Sequence, residues 1–154
     1  MSSDFNRLRL EQTERALEPF AVLRGKTQAP PGGWLKAIRE ALGRSTRSQA
    51  ARVGITAPTL LKSETLEAGD RITLGQLRKL AGCLDCELVY VLVPRQPLSQ
   101  MVEEQAEKMA REEVLGVAHT MSLEDQLPSD TFLQKQVASR KRALLEGSWA
   151  RLWR

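Results

Sequence analysis

Ala50-Ala-Arg-Val-Gly54-Ile-Thr-Ala-Pro-Thr-Leu60 is the stretch on which the reading of the chain turns. Where one helix crosses closely over another, the first needs a small residue midway along it, and Ala50 meets that need. Gly54, four residues on, supplies a turn whose backbone angle only glycine adopts cheaply. Leu60 then gives the second helix an inward anchor, Ile55 seals the turn, and Val53 and Leu66 add core contacts. An Ala-x-x-x-Gly spacing alone carries no information. Here three constraints of a helix-turn-helix meet in one register.

Working outward, Leu35, Ile38 and Leu42 recur at three- and four-residue spacing and predict a short amphipathic helix ended by Gly43. Ser45 or Thr46 can cap the next helix, which runs to Val53. Thr56 caps a third, with Pro58 in its first turn, where a missing N–H does no harm. Thr73 caps a fourth through Leu74, Leu77, Leu80 and Ala81. Glu87 to Val93 is rich in β-branched and aromatic residues and stops at Pro94, so it reads as a strand. A lone strand needs a partner, either elsewhere in the chain or in a second copy.

On the N-terminal side, residues 4–24 have helical spacing interrupted by Pro19, and Gln28-Ala-Pro-Pro-Gly-Gly33 reads as a linker. On the C-terminal side, Val102, Ala106, Met109, Ala110, Val114, Val117 and Met121 mark one face of a helix of about twenty residues at 3.6-residue periodicity. Leu133, Val137 and Leu144 mark another after Pro128. The expectation is a mainly α protein: an N-terminal helix and linker at 1–32, a helix-turn-helix bundle with one following β-strand at 33–94, and a helical region at 95–154 for dimer or partner contacts.

In a helix-turn-helix the second helix lies in the major groove with its first residues at the base edges. That nominates Thr56, Ala57, Pro58, Thr59 and Lys62, with Ser63 half-turned inward. Thr59 can hydrogen-bond a base or touch a thymine methyl, Ala57 offers apolar contact, and Lys62 meets a phosphate or a guanine. Arg47, Ser48 and Gln49 open the first helix, where side chains and backbone N–H groups can hold phosphates.

Charge agrees with this placement. Trp34 to Ser63 holds six basic residues and one acid, Glu40, within a chain of net charge +4. Glu103 to Glu113 holds five acids against Lys108 and Arg111, a contrast that points to different surfaces for nucleic acid and for something else. The remaining signals exclude more than they assign. Cys83 and Cys86 form a C-x-x-C, but a structural zinc site wants four ligands and the lone His119 is distant, so the pair reads as core and neither metal nor cofactor is expected. One histidine, no glycine-rich phosphate loop and no carboxylates beside a nucleophile argue against an enzyme. No apolar run approaches the roughly 20 residues of a membrane helix, and the start lacks the apolar core of a secretory signal, which places the protein in the cytoplasm. Trp149 and Trp153 crowd the last six residues, either as core or as a partner-binding hook; His119 is a packed histidine or a further partner contact.

The chain resembles the family called mobile mystery protein A. The likeness is carried by Pro30-Pro-Gly-Gly-Trp34 with Ile38-Arg-Glu-Ala-Leu42, by Ile72-Thr-Leu74, and by Cys86-Glu-Leu-Val-Tyr-Val-Leu-Val-Pro94. Val117-Ala-His-Thr-Met121 with Leu123-Glu-Asp-Gln126, and the closing Arg151-Leu-Trp153, continue it. Membership would imply a lambda-repressor-like helix-turn-helix protein encoded beside mobile mystery protein B, which has a Fic domain. The pair looks like a toxin–antitoxin module, with this chain the antitoxin repressing its own operon. Arg44 to Gln49 is one residue shorter than the family's usual segment. Helices that inhibit Fic enzymes resemble S/T-x-x-x-E-G/N. Ser63…Glu67, Ser99…Glu103 and Thr120…Glu124 match its first part without the final Gly or Asn, so no inhibitory glutamate is assigned.

Three functions follow as expectations. The first is an antitoxin that binds double-stranded operator DNA and a Fic-domain toxin, as a homodimer reading half-sites about 34 Å apart. The second is a stand-alone transcriptional regulator. The third is an inhibitor acting through protein contacts alone, against which the basic patch argues.

Overall fold

The computed structural model describes residues 3–26, 28–122 and 128–154, and the chain divides into two compact units. Gly25–Val91 forms one, and Met1–Arg24 with Leu92–Arg154 forms the other. Leu123-Glu-Asp-Gln126, part of the resemblance, lies outside the described residues. Among the described residues the regular structure is helical, and no helix is long and apolar enough to cross a membrane.

The central unit holds α2 (Trp34–Ala41), α3 (Thr46–Val53), α4 (Ala57–Ala68) and α5 (Leu74–Cys83). Each start has a local cause. Ser45, Thr56 and Thr73 are in extended conformation, and their hydroxyls accept from the N–H groups of Ser48, Thr59 and Gln76, taking up donors that the first helical turn leaves unpaired. α2 begins at Gly33, which has no side chain to cap with. Glu67 of α4 does the work instead, accepting from the N–H groups of Trp34 at 2.9 Å and Leu35 at 2.8 Å. A carboxylate at a helix N-terminus is also favoured by the helix dipole. Gly33 is required by its φ of +87°, and a β-carbon there, 2.8 Å from that carboxylate, would also push the Glu67 side chain off the cap.

The core of this unit is Leu35, Ala50, Leu60, Leu80 and Leu84, with Ile38, Val53, Ile55 and Leu77 packed on it. Leu42, expected on the inner face of α2, is exposed. The helix ends at Ala41, and the inward position one turn after Leu35 is taken by Arg39. Arg39 is buried and grips Glu64 of α4 through two hydrogen bonds, Nε to Oε1 at 2.6 Å and Nη2 to Oε2 at 3.1 Å. Its Nη1 donates to the carbonyl of Arg44. The Glu64 bond is the main cause that raises the Arg39 pKa above its ordinary value, working against burial, with the charges of Glu64 and Glu40 adding to it.

The strand expected over Glu87–Val93 is not formed. Among the described residues this segment is neither helical nor laddered, and its backbone takes part in no backbone–backbone hydrogen bond. The composition favours a strand, but a ladder needs a second edge, and none of the described residues offers one.

The second unit packs α6 (Leu98–Ser122) against α7 (Asp130–Glu146), with α1 (Ser3–Leu17) beside α6 and 3-10 turns at Glu18–Leu23 and Trp149–Trp153. The N-terminal helix, set apart with the linker as 1–32 in the sequence reading, packs in one unit with the C-terminal helices. Ala106 and Ala110 are fully buried, and their small size lets α7 approach closely. Val102, Leu144 and Leu152 complete this core. Glu14 of α1 accepts from the Ser99 backbone N–H and hydroxyl at the start of α6. The apolar face of α6 ends earlier than its sequence pattern, since Val117 is exposed.

Candidate nucleic-acid interface

The turn between α3 and α4 is built as its sequence requires. Gly54 sits at φ 79°, ψ 31°, and its N–H reaches the carbonyls of Ala50 and Ala51, while Ile55 N–H also donates to Ala50. A β-carbon there would meet nothing within 4 Å, so glycine is needed for backbone conformation and not for room. Ala50 and Leu60 are both buried, and α3 packs on α4.

The nominated residues separate into two groups. Arg47, Ser48, Thr56, Pro58, Thr59 and Lys62 are exposed, and Ala57 is half-buried against the core. Arg47 and Ser48 open α3, and Thr56 to Thr59 with Lys62 fill the first turn and a half of α4. The hydroxyls of Thr56 and Thr59 are 2.7 Å apart and hydrogen-bonded, so the helix cap and the nominated base contact are coupled.

Gln49 and Ser63 turn inward. The Ser63 hydroxyl donates to the Thr59 carbonyl within α4. Gln49, expected at a phosphate, is only 2 % exposed. Its amide nitrogen donates to the Cys83 carbonyl at 3.2 Å, and its amide oxygen accepts from Arg44. The physical reason is its place on α3, where Gln49, Ala50 and Val53 share the face that meets the core. Arg44 donates to the same Cys83 carbonyl and pairs with Asp85 at 3.3 Å, so a cation closes the C-terminal end of α5.

This redistribution trims the basic surface inferred from sequence. Arg39 is inside and matched by Glu64, and Arg44 and Arg52 both reach Asp85. Lys36, Arg47 and Lys62 remain exposed, and none of them is in an ion pair with a described residue.

The C-terminal candidates are not brought together. Trp149 packs against the Ala106–Leu152 core, and its indole N–H donates to the Leu145 carbonyl at 2.8 Å. Trp153 is 60 % exposed. The buried residue of the closing turn is Leu152, whose carbonyl accepts from Gln105. His119 lies exposed fourteen residues beyond Gln105 along α6, about 21 Å at the helical rise. The acid-rich stretch also has a partner within the chain. Glu103 and Glu107 face Lys141 of α7 at 3.7 Å and 3.5 Å, and Glu113 pairs with Arg140. Three of its five acids thus face two cations of α7.

Cys83 and Cys86 are free and half-buried. Among the described residues no three His, Cys, Asp or Glu side chains are grouped to hold a metal ion. Comparisons with protein families, with curated proteins and with solved structures returned no match for this chain.

Proposed function

We propose that α3 and α4 form a helix-turn-helix that binds double-stranded operator DNA, and that the chain is the antitoxin of a Fic-domain toxin, repressing its own operon. The DNA-binding half is carried by one observation: a buried Ala50, a left-handed Gly54 and a buried Leu60 leave the start of α4 pointing outward with Thr56, Pro58, Thr59 and Lys62 exposed. Ala57, Thr59 and Lys62 offer apolar contact, hydrogen bonding and charge to base edges and phosphates. Arg47 and Ser48, at the opening of α3, serve the phosphates. With Arg47 and Lys62 the cations among the nominated residues and no Arg or Asn at the start of α4, phosphate contacts supply much of the affinity. The toxin half rests on the resemblance to mobile mystery protein A.

The test is an anisotropy titration on the chain's own upstream DNA, with and without the product of the neighbouring gene. The reading expects salt-dependent, sequence-preferring binding that tightens with the partner. Binding indifferent to the partner would leave a stand-alone repressor, and partner binding without DNA preference would leave an inhibitor. Lys62→Ala should weaken operator binding by about 1–3 kcal/mol if the lysine reads a base; at a phosphate the loss is uniform across sequences and the salt slope falls by about one. If neither the affinity nor the salt slope changes, Lys62 is not part of the interface.

A further inference from the structure

Leu88-Val-Tyr-Val-Leu-Val93 has the composition of a strand and no ladder. Val89, Tyr90 and Leu92 are 73 %, 62 % and 83 % exposed. Leu88 and Val89 also line an open groove of about 280 Å³ with Trp34, Ile38, Leu77 and Leu84. An unpaired apolar edge invites pairing with another chain, and natural proteins cover or close such edges.

We propose that this segment pairs antiparallel with the same segment of a second copy, about a two-fold axis at Val91. The flanks select both direction and register. A parallel pairing would set Glu87 opposite Glu87 and Arg95 opposite Arg95, and like charges facing each other across strands are destabilising. Antiparallel pairing centred on Val91 sets Glu87 of each copy opposite Arg95 of the other, twice by symmetry. The same register sets Tyr90 opposite Leu92, joining two exposed side chains in an aromatic–aliphatic pair. Pro94 fits it as well. With Val91 in a hydrogen-bonded pair, Pro94 opposite Leu88 falls in a non-hydrogen-bonded pair, where its missing N–H removes nothing from the ladder. Slipping the register by one residue sets Tyr90 opposite Val91 and breaks both the Glu87–Arg95 and the Tyr90–Leu92 matches.

The segment is therefore a strand whose second edge belongs to another molecule. A two-stranded ribbon is marginal by itself, and the apolar groove beside Leu88 and Val89 gives it a surface to rest on. The pairing deepens the DNA-binding reading by naming what joins two copies, and it rests on that reading only for the need of two half-sites.

Two experiments on the full chain test it. With Cys83 and Cys86 replaced by Ser, single cysteines are placed at 89 to 93 and oxidised mildly. Val91→Cys should give a disulfide-linked dimer, since hydrogen-bonded antiparallel pairs have Cα atoms about 5.5 Å apart, within disulfide reach. Tyr90→Cys and Leu92→Cys should cross-link poorly alone and well when mixed. In sedimentation, Tyr90→Glu with Leu92→Glu should raise the dimer dissociation constant on the order of 100-fold, two cross-strand pairs at about tenfold each. Tyr90→Lys with Leu92→Glu, which restores opposite charges in the same register, should keep the dimer. All four side-chain changes are at residues already exposed, so folding is not at stake. Equal cross-linking at every position, a dimer indifferent to the Glu pair, or a parent that stays monomeric would overturn the proposal. Because mass is read without DNA, a dimer lacking DNA preference defeats only the operator reading, and DNA binding by a monomer defeats only this one.

Discussion

Glu64 is the residue whose removal should disturb the central unit most. Its carboxylate is almost fully buried and receives two donors from Arg39, itself buried, whose third contact is the Arg44 carbonyl. Glu64→Ala leaves Nε of a guanidinium that cannot lose its proton without a partner, and Nη2 with only the exposed Glu40 carboxylate, 3.7 Å away. Breaking a buried pair from one side costs about 3–5 kcal/mol, because the stranded charge remains desolvated. The unit spans 67 residues, and at about 0.05–0.15 kcal/mol per residue its whole stability is roughly 3–10 kcal/mol. Glu64→Ala should thus leave a large fraction unfolded at room temperature, read as the urea midpoint by far-UV circular dichroism. Arg39→Met combined with Glu64→Leu removes both charges, and buried pairs replaced by apolar residues of similar volume are often neutral or better. The double variant should return to within about 1–2 kcal/mol of the parent, the residue of the loss being the Arg44 carbonyl left without its donor. A loss below about 1 kcal/mol for Glu64→Ala, or a double variant as unstable as the single, would refute this account of how α2 is held to α4.

Three further outcomes are expected. Gly54→Ala should cost about 1 kcal/mol in thermal unfolding through its left-handed backbone alone, and Gly54→Asn less; equal losses would mean that space is the constraint. Leu152→Ala should cost about 2–4 kcal/mol by opening a cavity, while Trp153→Ala leaves stability unchanged; the reverse order would relocate the anchor of the C-terminal turn. Glu107 is held below the ordinary carboxylate range by its hydrogen bonds to Arg111 and Lys141 and by their charges. A depressed carboxyl stabilises the fold above its unfolded pKa, and that contribution is lost as pH falls through the lowered value. Glu107→Gln should therefore lower the melting temperature at neutral pH and low salt, with the difference vanishing in acid; a difference that persists in acid would assign it to packing.

What was legible in the sequence is what neighbours in sequence decide. Ser45, Thr56 and Thr73 cap helices because a hydroxyl three residues before a free N–H can reach it, and Gly54 turns because the chain reverses there. The inward turn of Gln49 and Arg39 was not legible. Their partners, the Cys83 carbonyl and Glu64, lie 34 and 25 residues away and come within reach only once the helices pack. A signal did exist for Arg39, which sits four residues after Leu35 on the face that Leu42 was expected to fill.

Charge and propensity were incomplete guides for a shared reason. The acids of α6 looked like a surface waiting for a foreign partner, yet Lys141 and Arg140 of α7 meet three of them. Residues 88–93 looked like a strand, yet no described residue meets their edge. Both patterns state a requirement, a counter-charge or a second edge, without saying which chain supplies it. Where the chain supplies it, as in α6 and α7, the pattern is spent on folding. Where it does not, the requirement passes to another molecule, and in the proposed antiparallel pairing a second copy of this chain would satisfy it, with Glu87 and Arg95 matched at both ends.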